Sequence, residues 1–403
     1  MKIKCCRICK SKKLDVVHSL GTMFFTGIFP QSKTNKIPKG ELKLVKCRKC
    51  SLLQLENNFN SKLMYGNNYG YMSSLNKAMI SHLKLKSKYL LKTYKLNKGC
   101  HILDIGSNDG TFLNFFNKNL KLFACDPTIK KFNNYYRKDI SLTPNFFSKD
   151  KFKNLKFNLI TSIAMFYDLP DPLKFAKDIK SVLAKDGIWH IEMSYMPSML
   201  SNVSYDTICH EHLEYYSVKS LKFLMNLAKL KIVDISFNQV NGGSISLDVA
   251  QINSKHTENK TLIEWLLLRE NLNGSNNLKI QKQFFNKCKK QRLLLKELLK
   301  KLKLQGKIIY GYGASTKGNV ILQYTGIDEK YLDFIVEVNK FKFNKYTPGS
   351  KIKIISEKYM KKNPPDYLLV LPWHFKDYIL KKENLFLHNG GKMIFPLPEI
   401  EII

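Results

Sequence analysis

No stretch of about 18 uninterrupted apolar residues occurs in this 403-residue chain, and its opening MKIKCCRICK has no apolar core of the kind a secretion signal carries. These absences argue against a helix that spans a membrane and predict a soluble, cytoplasmic protein. Acidic residues are scarce: 32 Asp and Glu stand against 67 Lys and Arg, a formal charge of +35. Such an excess would suit a polyanion. The lysines, however, are spread through every segment beside many Asn and Ile, which is how a compositional bias distributes charge. No nucleic-acid partner is expected, and a small phosphate-bearing substrate would be content with part of this charge. Nine cysteines do not form the even framework of a small secreted domain.

The length predicts more than one core. Residues 1–62 hold Cys6-x-x-Cys9 and Cys47-x-x-Cys50 among short strand-like runs, ELKLVKC and SLLQLE. Two such knuckles supply four thiolates, the number that a tetrahedral structural zinc needs. The stretch GTMFFTGIFPQSKTNKIPKG between them must then bulge out as a loop. After the aromatic and turn-rich YGNNYGYMSS, helical spacing of apolar residues runs through LNKAMISHLKLKSKYLLKTYKL.

The middle segment, 63–300, carries HILDIGSNDGTFLNFF, which reads as a strand, a glycine turn at Gly106–Gly110 and an amphipathic helix. The next strand, KLFACDPT, ends in Asp126, about 20 residues on, where a carboxylate can accept both hydroxyls of a ribose. Strands at FNLITSIAM and GIWHIEMS follow, with the helix DPLKFAKDIKSVLAKDG between them, closed by its glycine. Alternation of this kind predicts an α/β, Rossmann-like doubly wound sheet that binds a nucleoside-containing cofactor. The turn lacks G-x-G-x-x-G. Asp104 and Asp109 beside it oppose a pyrophosphate and favour a cationic ligand such as S-adenosylmethionine. The cofactor contacts are expected from Asp104, Gly106, Ser107, Asn108, Gly110 and Asp126.

A basic helical stretch, NLKIQKQFFNKCKKQRLLLKELLKKLKLQG, is expected to bury its leucines on its own protein rather than on a membrane surface. Residues 301–403 then restart the alternation. KIIYGYGASTKGNVILQY reads as a second strand, glycine turn and helix, so a second Rossmann-like lobe is expected, with backbone amides and Lys317 suited to a phosphate.

Between the fourth strand of the middle segment and its next helix lies DTICHEHLEYYS, residues 206–217. A metal is one reading, against which stand the lack of H-E-x-x-H and of any apparent third ligand; histidines satisfied by backbone groups are another. The third is acid/base chemistry, with an imidazole as base, a neighbouring carboxylate to orient it and phenols as donors.

The knuckles, YGYMSS, ILDIGSNDGTFL, FYDLPDP, DTICHEHLEYYS, NGGSIS, YGASTKGN, YTPGSKI and LVLPWHF, in this order along nearly the whole chain, resemble the sugar C-methyltransferases that act on nucleotide-linked ketosugars in deoxysugar and surface-polysaccharide biosynthesis. The resemblance implies a zinc-binding substrate domain, a methyl-donor domain and a C-terminal lobe that helps hold the nucleotide-linked sugar. It places the base at His212, with Glu211 beside it, His210 nearby and Tyr71 near the reacting centre. Tyr69, Tyr215, Tyr216, Lys317 and Asn319 become candidates for substrate binding. Two positions depart from the family: Cys209 stands where a tyrosine is usual, and Tyr167 or Asp168 where a histidine is. The departures leave the sugar, and carbon against oxygen as acceptor, open; an RNA methyltransferase and a non-catalytic scaffold are the further alternatives.

Overall fold

A computed structural model describes residues 1–65 and 69–403; residues 66–68, inside the YGNNYGYMSS stretch, lie outside the described residues. Three sheets organise the chain. The first takes β1 (Leu14–Phe24), β2 (Lys39–Cys47) and β3 (Leu53–Leu55), and is completed by β9 (Glu214–Tyr215) from far along the chain. All of its pairings are antiparallel. The two ends of GTMFFTGIFPQSKTNKIPKG are therefore strand and only 25–38 bulge out: residues 21–24 and 39–40 extend the β1–β2 hairpin, because Thr22, Met23 and Phe24 find partners in Glu41, Gly40 and Lys39.

The second sheet has seven strands: β4 (His101–Ile105), β5 (Lys121–Cys125), β6 (Ile140–Thr143), β7 (Phe157–Ile163), β8 (Leu183–Ser194), β10 (Leu230–Asn238) and β11 (Ser244–Gln251). They lie in the order β10-β11-β8-β7-β4-β5-β6, parallel from β8 to β6, with β11 antiparallel between β8 and β10. Strand order reverses between β4 and β7, and in such sheets ligands bind beyond the strand ends at that point.

Two local expectations differ from the outcome. After Gly110 there is no α-helix, only the single turn Leu113–Phe115, because Phe112, Leu113 and Phe116 are all drawn into the core within a ten-residue link to β5. The helix Pro172–Val182 ends five residues before Gly187. That glycine lies within β8, where a Cβ would come 2.5 Å from the Phe157 carbonyl oxygen.

The helix Lys77–Thr93 starts where the Asn76 side chain accepts from the Ala78 and Met79 amides. It turns Met79, Leu83, Ser87 and Leu90 inward. The long helix Leu278–Leu304 buries Phe284, Phe285, Cys288, Leu295, Leu299 and Leu302, while its lysines face outward. That amphipathicity is satisfied within the protein. Among the described residues no helix is long and apolar enough to cross a membrane.

The third sheet takes β12 (Ile309–Tyr312), β13 (Phe334–Glu337), β14 (Ile354–Ser356), β15 (Tyr367–Val370), β16 (Lys392–Phe395) and β17 (Glu401–Ile402) in the order β14-β13-β12-β15-β16-β17. All but β17 are parallel, and the order again reverses beside the first strand, between β12 and β15. One apolar core joins this sheet to the first through Leu42, Leu44, Leu295 and Val320, and a second joins the cysteine knuckles to the seven-stranded sheet. Packing of this kind brings the loops at the strand ends of both parallel sheets onto one space.

Candidate active site

That space is a cavity of about 690 Å³, walled by the turn after β4, the His212 loop, the aromatic segment before the helix Lys77–Thr93, and the strand ends of the third sheet. Its size is that of a ligand site rather than a packing void.

On the donor side, Asp104, Gly106, Ser107, Asn108 and Asp126 all line the cavity. Asp126 is positioned by amides: its Oδ2 accepts from the Asn108 amide at 2.9 Å and its Oδ1 from the Thr128 amide and hydroxyl, both at 2.6 Å. Asp104 accepts from the Thr161 hydroxyl at 2.6 Å, and burial pushes its carboxyl up to about 7. Gly110 does not line the cavity. A Cβ there would strike the Tyr136 ring at 2.6 Å; the glycine lets Tyr136 reach in and donate to the Asn108 carbonyl at 2.8 Å. Its function is to seat the turn.

Tyr69 and Tyr71 belong to a strap across the opening. The Tyr69 carbonyl accepts from the Lys131 ammonium at 2.7 Å, the Gly70 carbonyl accepts from the Asn339 amide group, and the Tyr71 carbonyl accepts from the Asn108 side chain at 3.1 Å. One strap thus touches both parallel sheets' loops. Tyr71 lines the cavity and stays 43% exposed, while burial of its hydroxyl end raises it to about 12.

The 206–217 loop divides into wall and core. His212 lines the cavity, and its Nδ1 lies 2.8 Å from the Thr207 carbonyl oxygen. A carbonyl only accepts, so Nδ1 carries the proton and Nε2 keeps the lone pair. The Tyr167 ring packs 4.2 Å from the imidazole, the Leu213 amide donates to the Tyr167 carbonyl at 2.7 Å, and Tyr215 donates its hydroxyl to the His212 carbonyl at 3.0 Å. Burial, reinforced by the Lys317 ammonium, lowers His212 to about 3 against the opposing Thr207 hydrogen bond. It is a neutral imidazole at physiological pH. Glu211 lines the same wall and accepts from the Thr26 hydroxyl at 3.3 Å; burial raises its carboxyl. Gly27 is required there, since a Cβ would lie 2.5 Å from Glu211 Oε1.

Four loop or lobe residues predicted for the site lie elsewhere. His210 is fully buried between Phe25 and Phe59, with Nε2 3.2 Å from the Gly40 carbonyl oxygen, and does not reach the cavity. The chain bends through Cys209–Glu211, with the His212 amide donating to the Cys209 carbonyl at 3.2 Å, and the bend leaves His210 facing away from the wall that Glu211 and His212 share. Tyr215, in β9, pairs with Leu53, and Tyr216 stacks on Phe166; both are core. Asn319 is buried in the helix Thr316–Thr325, where its side chain donates to the Thr26 carbonyl at 2.7 Å and ties the C-terminal sheet to the first. Lys317, two residues earlier on that helix, does line the cavity and donates to the Asn241 carbonyl at 2.7 Å.

Polar wall residues that spacing could not reveal include Tyr65, Asp168, Glu192, Tyr312, Glu337, Asn339 and His374. The glycine turns pointed to their strand ends but not to the residues themselves. Glu192 meets His82 at 2.6 Å and Lys86 at 2.9 Å, pairs made by elements 110 and 106 residues apart.

At the other end of the His212 loop, Cys6, Cys9, Cys47 and Cys50 converge, with all four Sγ atoms within 4.8 Å of one another. A tetrahedral zinc with bonds of about 2.3 Å separates its sulfurs by about 3.8 Å, so this set fits the ion. Both knuckles are built alike: Lys10 and Ser51, each just after its second cysteine, adopt the left-handed conformation and donate an amide to the carbonyl of the first. Arg7, inside the first knuckle, donates to the Leu55 carbonyl at 2.6 Å and pairs with buried Glu214 of β9 at 3.4 Å. The metal-binding turn is thereby fastened to the strand that follows His212.

Comparison with known proteins follows the same three parts. The family models described as "Putative zinc binding domain", "Methyltransferase domain" and "C-methyltransferase C-terminal domain" match residues 6–65, 76–235 and 239–398 in turn. The chain is an S-adenosylmethionine-dependent methyltransferase. Its four clustered cysteines are the zinc-binding set. This methyltransferase is 28% identical to the C-methyltransferase NovU of Streptomyces niveus over 368 residues, 90% of this chain and 87% of NovU. Solved structures of S-adenosylmethionine-dependent methyltransferases from Clostridium acetobutylicum and Aquifex aeolicus are 14% and 19% identical, with TM-scores of 0.34 and 0.32. They cover 47% and 44% of the methyltransferase chain, and 95% and 98% of their own.

Proposed function

We propose that the protein C-methylates a nucleotide-linked ketosugar, at a carbon next to the ketone, in deoxysugar or surface-polysaccharide formation. The observation that carries this reading is His212, its Nδ1 fixed on Thr207, in one cavity with the Asp104–Asn108 turn, Asp126 and Lys317. Carbon next to a ketone is weakly acidic, and its deprotonation needs a base held in the lone-pair state. His212 takes that proton through Nε2, and Glu211 orients the loop from Thr26. S-adenosylmethionine, bound over Asp104, Gly106, Ser107, Asn108 and Asp126, supplies the electrophilic methyl. Tyr71 and Tyr69 close the strap over the acceptor, and Lys317 meets its phosphate. NovU, a C-methyltransferase by name, supports carbon as the atom that receives the methyl.

The test is His212→Asn. With a panel of nucleotide-linked ketosugars, methyl transfer should fall by about 10³-fold or more, while S-adenosylhomocysteine affinity by calorimetry stays unchanged. Unchanged turnover would remove His212 as base. A product methylated on oxygen, located by NMR, would replace the carbon reading, and steeply salt-dependent methylation of RNA would replace the sugar.

A further inference from the structure

Asp168 occupies the turn Phe166–Asp168 directly after β7, on the cavity wall. The Tyr65 hydroxyl donates to its Oδ2 at 2.6 Å, whereas Oδ1 is buried and has no hydrogen-bond partner among the described residues. None of the ion pairs among the described residues includes Asp168 or Glu211, a carboxyl that acts on it. The titratable groups around it are Tyr65 and Tyr69 from the strap side, Tyr167 on its own turn, and Cys209, Glu211, Glu214 and Tyr215 from the His212 loop. All of these are neutral or acidic; of the cations near them among the described residues, Arg7 is engaged by Glu214 and Lys317, beyond Cys209, by the Asn241 carbonyl. A carboxyl so placed keeps its proton, and burial with the neighbouring Glu211 holds it well above the usual carboxylate range. Oδ2 accepts from Tyr65, so the proton belongs on Oδ1.

We propose that Asp168 is a catalytic residue that works as a neutral acid, its Oδ1–H donating a hydrogen bond to the keto oxygen of the acceptor. The assignment rests on the reading of the site as an enolate-forming one. As the C–H bond breaks, the proton goes to His212 Nε2 and the electron pair runs onto the keto oxygen. The Asp168 hydroxyl shares its hydrogen with that growing negative charge without giving it up. A preorganised donor aimed at developing charge is worth most where water is excluded, and a carboxylic acid kept neutral by its surroundings is a known way to supply one. A carboxylate in the same place would oppose the enolate.

The experiment compares pH profiles of kcat/KM for wild type, Asp168→Asn, Asp168→Ala and Tyr65→Phe, with S-adenosylhomocysteine binding as the check on folding. Wild type should lose activity at high pH as Asp168 ionises. Asp168→Asn, which keeps an N–H donor, should lose that basic limb and stay within about 10-fold of wild type at neutral pH. Asp168→Ala should fall by about 10²–10³-fold. Tyr65→Phe removes the hydrogen bond that favours the carboxylate, so its basic limb should move to higher pH. An unchanged basic limb in Asp168→Asn, or an alanine variant as active as asparagine, overturns the proposal. Difference infrared titration reads the group without turnover: at neutral pH wild type should show a carboxylic acid band that Asp168→Asn lacks, beyond those of Asp104 and Glu211, which the two proteins share. Its absence from wild type overturns the proposal even in an enzyme that methylates ketosugars. Its presence in a protein that methylates none overturns the functional reading instead.

Discussion

The two parallel sheets solve one problem twice and reach different chemistry. In each, a glycine turn follows the first strand, and an acid at the end of the second strand accepts from an amide of that turn: Asp126 from Asn108 at 2.9 Å, Glu337 from Ala314 at 3.1 Å. Beyond the turn they part. The seven-stranded sheet continues into one short turn, Leu113–Phe115, whereas the C-terminal sheet launches the full helix Thr316–Thr325, with the Ser315 hydroxyl accepting from the Gly318 amide. A helix start is a favourable place for an anion, and a turn between carboxyls with no helix behind it is not. Lysines follow the same division. Lys317 and Lys342 stand at the second turn, and Lys342 lies 3.4 Å from Glu337, while Asp104 and Asp126 have no ion pair among the described residues. Shared topology therefore fixes where a ligand sits, and the first residues after the turn decide the sign of charge it carries.

This division of labour can be broken in order of expected effect. Stripping the zinc should cost most. The thiolates then repel one another, the Arg7–Glu214 link to β9 loosens, and methyl transfer should fall below detection, while S-adenosylhomocysteine still binds the seven-stranded sheet. Loss of cofactor binding together with activity, measured by calorimetry after chelation, would mean that the zinc module supports the whole fold rather than the His212 loop. Asp126→Ala should come next. It leaves the Asn108 and Thr128 amides without their carboxylate and removes the acceptor at the donor turn, so S-adenosylhomocysteine affinity should drop by about 30-fold or more. Binding of a nucleoside diphosphate should be unaffected. Glu337→Gln should give the mirror image on a smaller scale, weakening the nucleoside diphosphate by about 3- to 10-fold and leaving the methyl-donor side alone. A variant that weakens both ligands equally would dissolve the distinction between the two turns.

Legibility in the sequence followed the same line. The glycine turns, the acid 20 residues on and the CxxC pairs are local patterns, and local patterns carry their own geometry. Both Rossmann-like sheets, the cavity-lining Asp104, Gly106, Ser107, Asn108 and Asp126, and the converging cysteines could therefore be read directly. What spacing could not give was sidedness. Apart from Leu213, HEHLEYY is polar and aromatic throughout, so nothing in it says that Glu211 and His212 form wall while His210, Tyr215 and Tyr216 enter the core. That choice is made by β3, which captures Glu214 and Tyr215 from about 160 residues away. Asn319, expected at the substrate, is core for a similar reason: its partner, the Thr26 carbonyl, lies 293 residues distant. Gly110 and Gly187 show the opposite lesson, since each marks close packing of a neighbour, Tyr136 or Phe157, rather than a ligand or a helix end.

The smallest effect at neutral pH, and the most specific, belongs to Lys317→Met. Lys317 is the point where the C-terminal sheet reaches into the chemistry of the seven-stranded sheet, because its ammonium helps to lower His212 from its ordinary value to about 3. Burial, the larger cause, remains in the variant; the charge does not. His212 should therefore gain a proton at a higher pH than in the wild type. A base works only when unprotonated, so the acid limb of kcat/KM should shift upward while the rate at neutral pH changes by no more than a few-fold. The acceptor KM should rise, since the same cation is assigned to its phosphate, and S-adenosylhomocysteine affinity should not move. A raised KM with an unmoved acid limb would confine Lys317 to substrate binding. A moved limb with an unchanged KM would make it an electrostatic partner of the base alone, and the second turn would then serve the reaction rather than the nucleotide.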